Sequence, residues 1–212
     1  MTRSLRPLLA AAAIAIGAPA SAVTFIDFEG VPDGSLIGST YAGLSFGTHA
    51  YVAVDSDAPN GSAEFANEPS PSTVMYFDSG SAVLTVAAGF DTGFSFWYAS
   101  PASPAHVTLF DIGGNAIGDA SLPALGSGPG DPNGGDIGVW ASVGIALTCT
   151  GQPGCRAYSV EFGGVPYQAL YDNITFGSLT PGPGVPAIPE PSTWALLALG
   201  ASGLLVAKRR RS

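Results

Sequence analysis

Basic residues are almost missing from the body of this chain. Of its 212 residues only 7 are Lys or Arg: Arg3 and Arg6 at the front, Lys208, Arg209, Arg210 and Arg211 at the back, and Arg156 alone between. All 16 Asp and Glu fall between Asp27 and Glu190, so sixteen acids face one base and that region carries a net charge of −15. Such a surface repels phosphate and anionic lipid, which excludes nucleic acid as a partner. Histidine is limited to His49 and His106. No G-x-S-x-G elbow, P-loop or dinucleotide fingerprint accompanies them. The expectation is therefore a protein that is not an enzyme. Two of the sixteen carboxylates acting as a glycosidase pair is the catalytic alternative, that of an exported hydrolase.

Cysteine is also scarce, with only Cys149 and Cys155, in CTGQPGC. Where these two sit depends on the front of the chain. Arg3 and Arg6 precede an apolar run, Leu8 to Gly17, and then the small residues Ala18-Pro-Ala-Ser-Ala22. That is the pattern of a signal peptide over residues 1–22, cut after Ala22. Export places the cysteines in an oxidising compartment and favours a Cys149–Cys155 disulfide, with Pro153-Gly154 supplying the turn. Half a zinc site is the rival reading, and it lacks both the C-x-x-C spacing and a nearby His.

Sustained helical periodicity is absent from residues 23–178. What stands there is a series of short runs rich in Val, Ile, Phe, Tyr, Trp and Thr: 23–28, 41–47, 50–54, 73–77, 81–86, 92–99, 105–111, 116–122, 139–147, 157–162 and 170–177. Gly, Pro, Asn, Asp and Ser separate them. In TGFSFWYA, Phe94, Phe96 and Tyr98 share one face and Ser95 and Trp97 the other. In AHVTLFD, Val107 and Leu109 oppose His106, Thr108 and Phe110. So many strands without helices predict an all-β, two-sheet antiparallel β-sandwich, jelly-roll-like in its topology. Residues 55–72 read as a long polar loop at one end, of the kind that carries ligand sites. Trp97, Trp140 and Tyr98 are the aromatics to weigh as a sugar-stacking platform against the ordinary role of filling a core.

Residues 179–191 form a Pro/Gly-rich linker ending in Pro189-Glu190-Pro191. An almost wholly apolar segment, 192–207, and a basic tail, 208–212, follow. Fifteen helical residues reach only about 22 Å, short of a hydrocarbon core of about 30 Å, so this transmembrane helix is marginal. The basic cluster orients the tail to the cytoplasm and the domain outward.

The stretch PEPSTWALLALGASGLLVAKRRR resembles the PEP-CTERM sorting signal of exported bacterial proteins. Pro189, Glu190 and Pro191 match its tripeptide, Ser192-Thr193-Trp194 its usual continuation, and the Arg run its stop. The resemblance implies an exosortase, a membrane-embedded cysteine peptidase, as a partner, and a transient stay in the inner membrane. It also implies a producer with an exopolysaccharide and biofilm system. The protein would then reside in the cell envelope or outside it, in a structural or adhesive role. A carbohydrate-binding module acting on exopolysaccharide is the alternative. VTFIDFEG, GSLIGSTYAGLSFG and LYDNITFG resemble ectodomains found among such proteins, which implies a fold and no set activity. In many sandwich modules of that kind the first and last strands are neighbours and hold a structural calcium, for which Asp27, Glu29 and Asp172 are the candidate ligands.

Overall fold

Runs with apolar residues at every second position bury one face only as extended chains paired into sheets. The computed structural model describes residues 24–128, 137–149 and 151–182, and the regular structure among them is strand throughout. The signal peptide, Pro189-Glu190-Pro191, the transmembrane segment and the basic tail lie outside the described residues. Eleven strands form: β1 (Thr24–Ile26), β2 (Leu44–Phe46), β3 (Ala50–Val54), β4 (Thr73–Phe77), β5 (Ala82–Phe90), β6 (Phe94–Ala99), β7 (Ala105–Phe110), β8 (Ala116–Leu122), β9 (Ala141–Ile145), β10 (Ala157–Gly164) and β11 (Leu170–Phe176). Each falls within or overlaps one of the expected runs.

Two antiparallel sheets result. One, sheet A, has the order β3-β4-β11-β6-β9, with β1 also on β11; the other, sheet B, has the order β2-β5-β10-β7-β8. β6 lines one edge of β11 along its length. The other edge is shared: β4 meets it at Tyr171 opposite Met75, and β1 meets it from Ile174 to Phe176. The seam between β1 and β4 falls at Asp172–Asn173, where the register of β11 on β6 also shifts. Asn173 has a positive φ of 50°, in the left-handed region that Asn tolerates better than most residues.

The two inner faces meet in one aromatic core. Phe94, Phe96 and Tyr98 point into it as their alternation requires, and Val107 and Leu109 do so from β7 while His106 stays exposed. Phe162 of β10 bridges the layers: its ring lies 4.8 Å from Tyr171, 6.1 Å from Phe94 and 6.2 Å from Phe96, each edge-on. Such pairs add favourable quadrupole contacts to the area they bury.

The 55–72 segment differs from the end loop expected of it. It folds over the outer face of sheet A and builds a second, smaller apolar cluster there. Phe65, 1% exposed, packs with Ala53, Val74, Ala99 and Leu170, and Trp140 and Ile137 close over them. Bridges of Asp55 to Ala63 and Phe65 to Ile137 hold the excursion. The approach is close enough that a Cβ on Gly61 would collide with the Asp55 carbonyl oxygen. One buried aromatic in an otherwise polar run is too weak a periodic signal to be read from sequence.

Between β9 and β10 the Cys149–Cys155 disulfide closes a short turn with a Cα–Cα distance of 5.5 Å, and both cysteines pack against the main core. After β11 the chain stays on the sandwich. Gly177 N–H donates to the Gly93 carbonyl at 2.8 Å, and Leu179 lies so near β9 that a Cβ on Gly144 would strike its carbonyl oxygen. Truncating the inter-sheet ring is the direct test of this core: Phe162→Ala is expected to lower unfolding free energy by about 3–5 kcal/mol in urea titration, with the fold retained.

Candidate functional site

The seam in sheet A gathers the carboxylates singled out in the sequence. As β1 leaves the sheet it carries Asp27 and Glu29; as β4 enters, residues 70–73 bring free backbone amides. Glu29 answers them: Oε1 accepts from the amides of Ser72 and Thr73 at 2.9 Å each, and Oε2 from their hydroxyls at 3.3 and 3.1 Å. Asp172 is fully buried and accepts from the Ser70 amide at 2.7 Å and the Asn173 amide at 2.6 Å. The Ser70 hydroxyl bonds the carbonyls of Asp27 and Thr73. Asp27 Oδ1 takes the Glu29 amide at 3.2 Å. Carboxylates bonded to backbone amides make charge-assisted bonds, so three chain segments are held together here.

Burial is the first effect on Asp172. It pushes the carboxyl up to about 7, against the opposing pull of the Ser70 and Asn173 bonds and with a smaller push from the Glu29 charge. Nearby, burial and the charges of Asp27 and Glu29 push the Tyr41 phenol up to about 12. The structure therefore brings Asp27, Glu29 and Asp172 into one neighbourhood. It does not arrange them as a carboxylate cage: among the described residues no group of three or more His, Cys, Asp or Glu is placed to hold a metal ion. Their oxygens face protein donors instead. Two oxygens at the seam have no hydrogen-bond partner, Tyr41 Oη and Asn173 Oδ1. Asn173 lies one residue before Ile174, which pairs with Ile26, and Asp27 follows Ile26.

Two of the aromatics weighed from sequence, Tyr98 and Trp140, are placed in packing roles. Tyr98 is in the core and its hydroxyl donates to the Pro123 carbonyl at 3.1 Å. Trp140 covers the second cluster and donates from Nε1 to the Ala66 carbonyl at 2.9 Å. Trp97, half-buried, lies opposite Asp172 and Ser142.

A different aromatic group was not singled out from sequence. Tyr51 of β3 and Tyr76 of β4 are directly opposed in register on the outer face of sheet A. Their ring centroids lie 5.8 Å apart at an interplanar angle of 25°. Tyr167, from the turn between β10 and β11, continues the row at 5.8 Å from Tyr76 and 35°. Burial, then the Asp78 charge, raises the Tyr51 phenol; for Tyr76 the causes are burial, then Tyr167, Asp33 and Asp78. His49 Nδ1 meets Asp78 Oδ1 at 2.9 Å. The sequence signal for Tyr51 and Tyr76 is present, each standing at an outward position of its strand. Their pairing rests on the β3–β4 register, and Tyr167 lies in a turn far along the chain.

The PEP-CTERM protein-sorting motif model matches residues 187–211. The chain carries a PEP-CTERM sorting signal. That motif implies export with an exosortase as the processing partner, and the described part of the chain is an antiparallel β-sandwich. No curated protein matches the chain. Among solved structures it is similar to an arabinose-bound MgGH51 α-L-arabinofuranosidase (14% identity, TM-score 0.36, 63% of this chain and 23% of that chain). It is also similar to a glycoside hydrolase family 43 arabinoxylan arabinofuranohydrolase from Bacillus subtilis (16%, TM-score 0.32, 53% and 23%). A Stig cyclase, Fisc from Fischerella sp. TAU, matches at 12% with a TM-score of 0.38 over 78% of this chain and 87% of that one. The chain thus spans under a quarter of the two hydrolases, and likenesses this distant carry no argument about activity.

Two outcomes test the seam. Unfolded, Asp172 ionises near pH 4; folded, near 7. The folded state binds the extra proton between those values, so this group's stabilisation is complete below about pH 4 and is lost as pH rises through 7. Melting temperature is expected to fall from pH 5 to 7.5, and Asp172→Asn to flatten that slope. Glu29→Ala, which leaves the amides of Ser72 and Thr73 without their acceptor, is expected to cost about 1–3 kcal/mol in urea unfolding.

Proposed function

We propose that this chain is a non-enzymatic protein of the cell surface or extracellular matrix, structural or adhesive, and associated with the producer's exopolysaccharide. The observation that carries the reading is the sorting motif at residues 187–211, joined to an acidic sandwich. One feature supports a role without catalysis: the cysteines are paired with each other, so neither is a free thiolate nucleophile. A jelly roll is the finer topology we assign. It is supported by the order β4-β11-β6-β9 facing β5-β10-β7-β8, in which successive strands from β4 to β7 and from β8 to β11 change sheet.

In this account residues 1–22 are removed on export, the 23–178 domain faces outward, and Lys208–Arg211 stay cytoplasmic until the exosortase acts near Pro189-Glu190-Pro191. Intact-mass analysis of protein from the native host, with fractionation of matrix against cells, is the test. Loss of the tail and recovery in the matrix fraction, reduced in a strain without exopolysaccharide, are expected. A mature chain retaining Lys208–Ser212 refutes it.

A structural calcium ion at Asp27, Glu29 and Asp172 is a separate proposal. It requires these carboxylates to give up some of their present amide and hydroxyl donors to the ion; the buried, unpartnered Asn173 Oδ1 beside them favours it. Calcium is expected to raise the melting temperature and chelation to lower it; identical melting curves in calcium and in chelator oppose it.

A further inference from the structure

The tyrosine row has an exposed end that is held at a conformational cost. Tyr167 is 60% exposed and has a positive φ of 61°. Its turn is closed by Gln168 N–H to the Val165 carbonyl at 3.2 Å, with Pro166 and Tyr167 as the two central residues. A positive φ at the second central position belongs to Gly or Asn; a bulky residue is strained there. The strain sets the ring 5.8 Å from Tyr76, and the Tyr167 amide, donating to the Phe77 carbonyl at 3.0 Å, ties the turn to the end of β4. Backbone strain of this kind persists where the surrounding structure fixes it, and it concentrates at ligand-contacting positions.

The surroundings narrow the ligand. Asp33 and Asp78 act electrostatically on Tyr76, and Asp78 on Tyr51. Both carboxylates are tethered, Asp33 by the Val54 amide at 2.8 Å and the Ser62 hydroxyl, Asp78 by His49. The one Lys or Arg between residues 7 and 207, Arg156, donates instead to the Gly89 carbonyl at the sheet B side. A polyanion is therefore repelled. Aromatic faces beside carboxylate acceptors suit the C–H faces and hydroxyls of sugar rings. Three rings in a row, at two intervals of 5.8 Å, suit consecutive units of a chain better than a single sugar.

We propose that Tyr51, Tyr76 and Tyr167 form a stacking strip for an extended, uncharged polysaccharide chain. The inference deepens the exopolysaccharide reading above and rests on it. The test is affinity electrophoresis of the full-length chain, held in mild detergent, through native gels containing hydroxyethyl cellulose, dextran, galactomannan or alginate. At least one neutral polymer is expected to retard the protein, with alginate giving none of that effect. Tyr51→Ala and Tyr167→Gly are each expected to weaken the retardation constant roughly tenfold. Tyr167→Gly relieves the turn, so its melting temperature is expected to hold or rise. Tyr167→Asn, which tolerates the same backbone, is the second variant and is expected to lose retardation equally. Equal retardation of wild type and variants, retardation by alginate alone, or no retardation by any neutral polymer overturns the proposal. Matrix recovery of the tyrosine variants at wild-type levels would remove this inference and leave the matrix reading standing. A retained tail would remove the matrix reading and leave the gel result in force.

Discussion

Carboxylate-to-amide bonding at one seam sets the architecture of sheet A. β1 and β4 share an edge of β11, and neither is long enough to cover it alone. At such a junction backbone amides are left without ladder partners, and buried amides without acceptors are costly. Glu29 and Asp172 supply the acceptors from positions 143 residues apart in the numbering, one just after the first strand and one inside the last. Ser70 adds a hydroxyl that ties Asp27 to Thr73. Since residues 70–73 lead directly into β4, the seam determines where β4 starts and therefore which β4 residue faces which β3 residue.

That register has a functional consequence. With Thr73 held, β4 pairs with β3 from Thr73–Val54 to Phe77–Ala50, and Tyr76 comes opposite Tyr51. The same seam anchors the returning end of the 55–72 excursion, whose Phe65 covers Val74 and Leu170 on the outer face. Sheet A is thus apolar on both sides over part of its area, while the outer face of sheet B is polar or exposed at alternate positions, as β5 displays. The tyrosine row occupies the border where the second apolar cluster gives way to solvent, with Tyr76 touching both. The row of aromatic rings thus stands beside tethered carboxylates on a domain almost without cations.

The strand set was legible because several runs alternate with period two and turn residues bound each of them, so AYVAV, TVMYF and AIGDASL became strands with the bounds expected. The inward set Phe94, Phe96 and Tyr98 was legible from its alternation, and the Cys149–Cys155 bridge from the export signal, which places a lone pair of cysteines in an oxidising compartment. The pairing of strands was not. It depends on contacts between distant segments, and the seam is a product of that pairing. Asp27, Glu29 and Asp172 were identifiable as a group, yet their amide and hydroxyl partners in residues 70–73 had no sequence mark beyond a run of small polar residues. Tyr167 was hidden for a different reason: its meaning lies in a positive φ, and Val-Pro-Tyr-Gln does not announce one. The sorting signal is the reverse case, readable in full from Pro-Glu-Pro, the apolar run and the Arg cluster without any fold at all.

The ends and the body divide the charge between them, with six of the seven bases at the ends and the acids in the body. The tyrosine row depends on the seam holding β4 in register. Amide hydrogen exchange of Ser70, Ser72 and Thr73, compared between wild type and Glu29→Ala, reads that dependence most directly. The account predicts protection of all three close to that of the core strands in the wild type, with Ser72 and Thr73 losing it in the variant while Phe162 and Tyr171 keep theirs. Exchange of these three amides at open-loop rates in the wild type would contradict it.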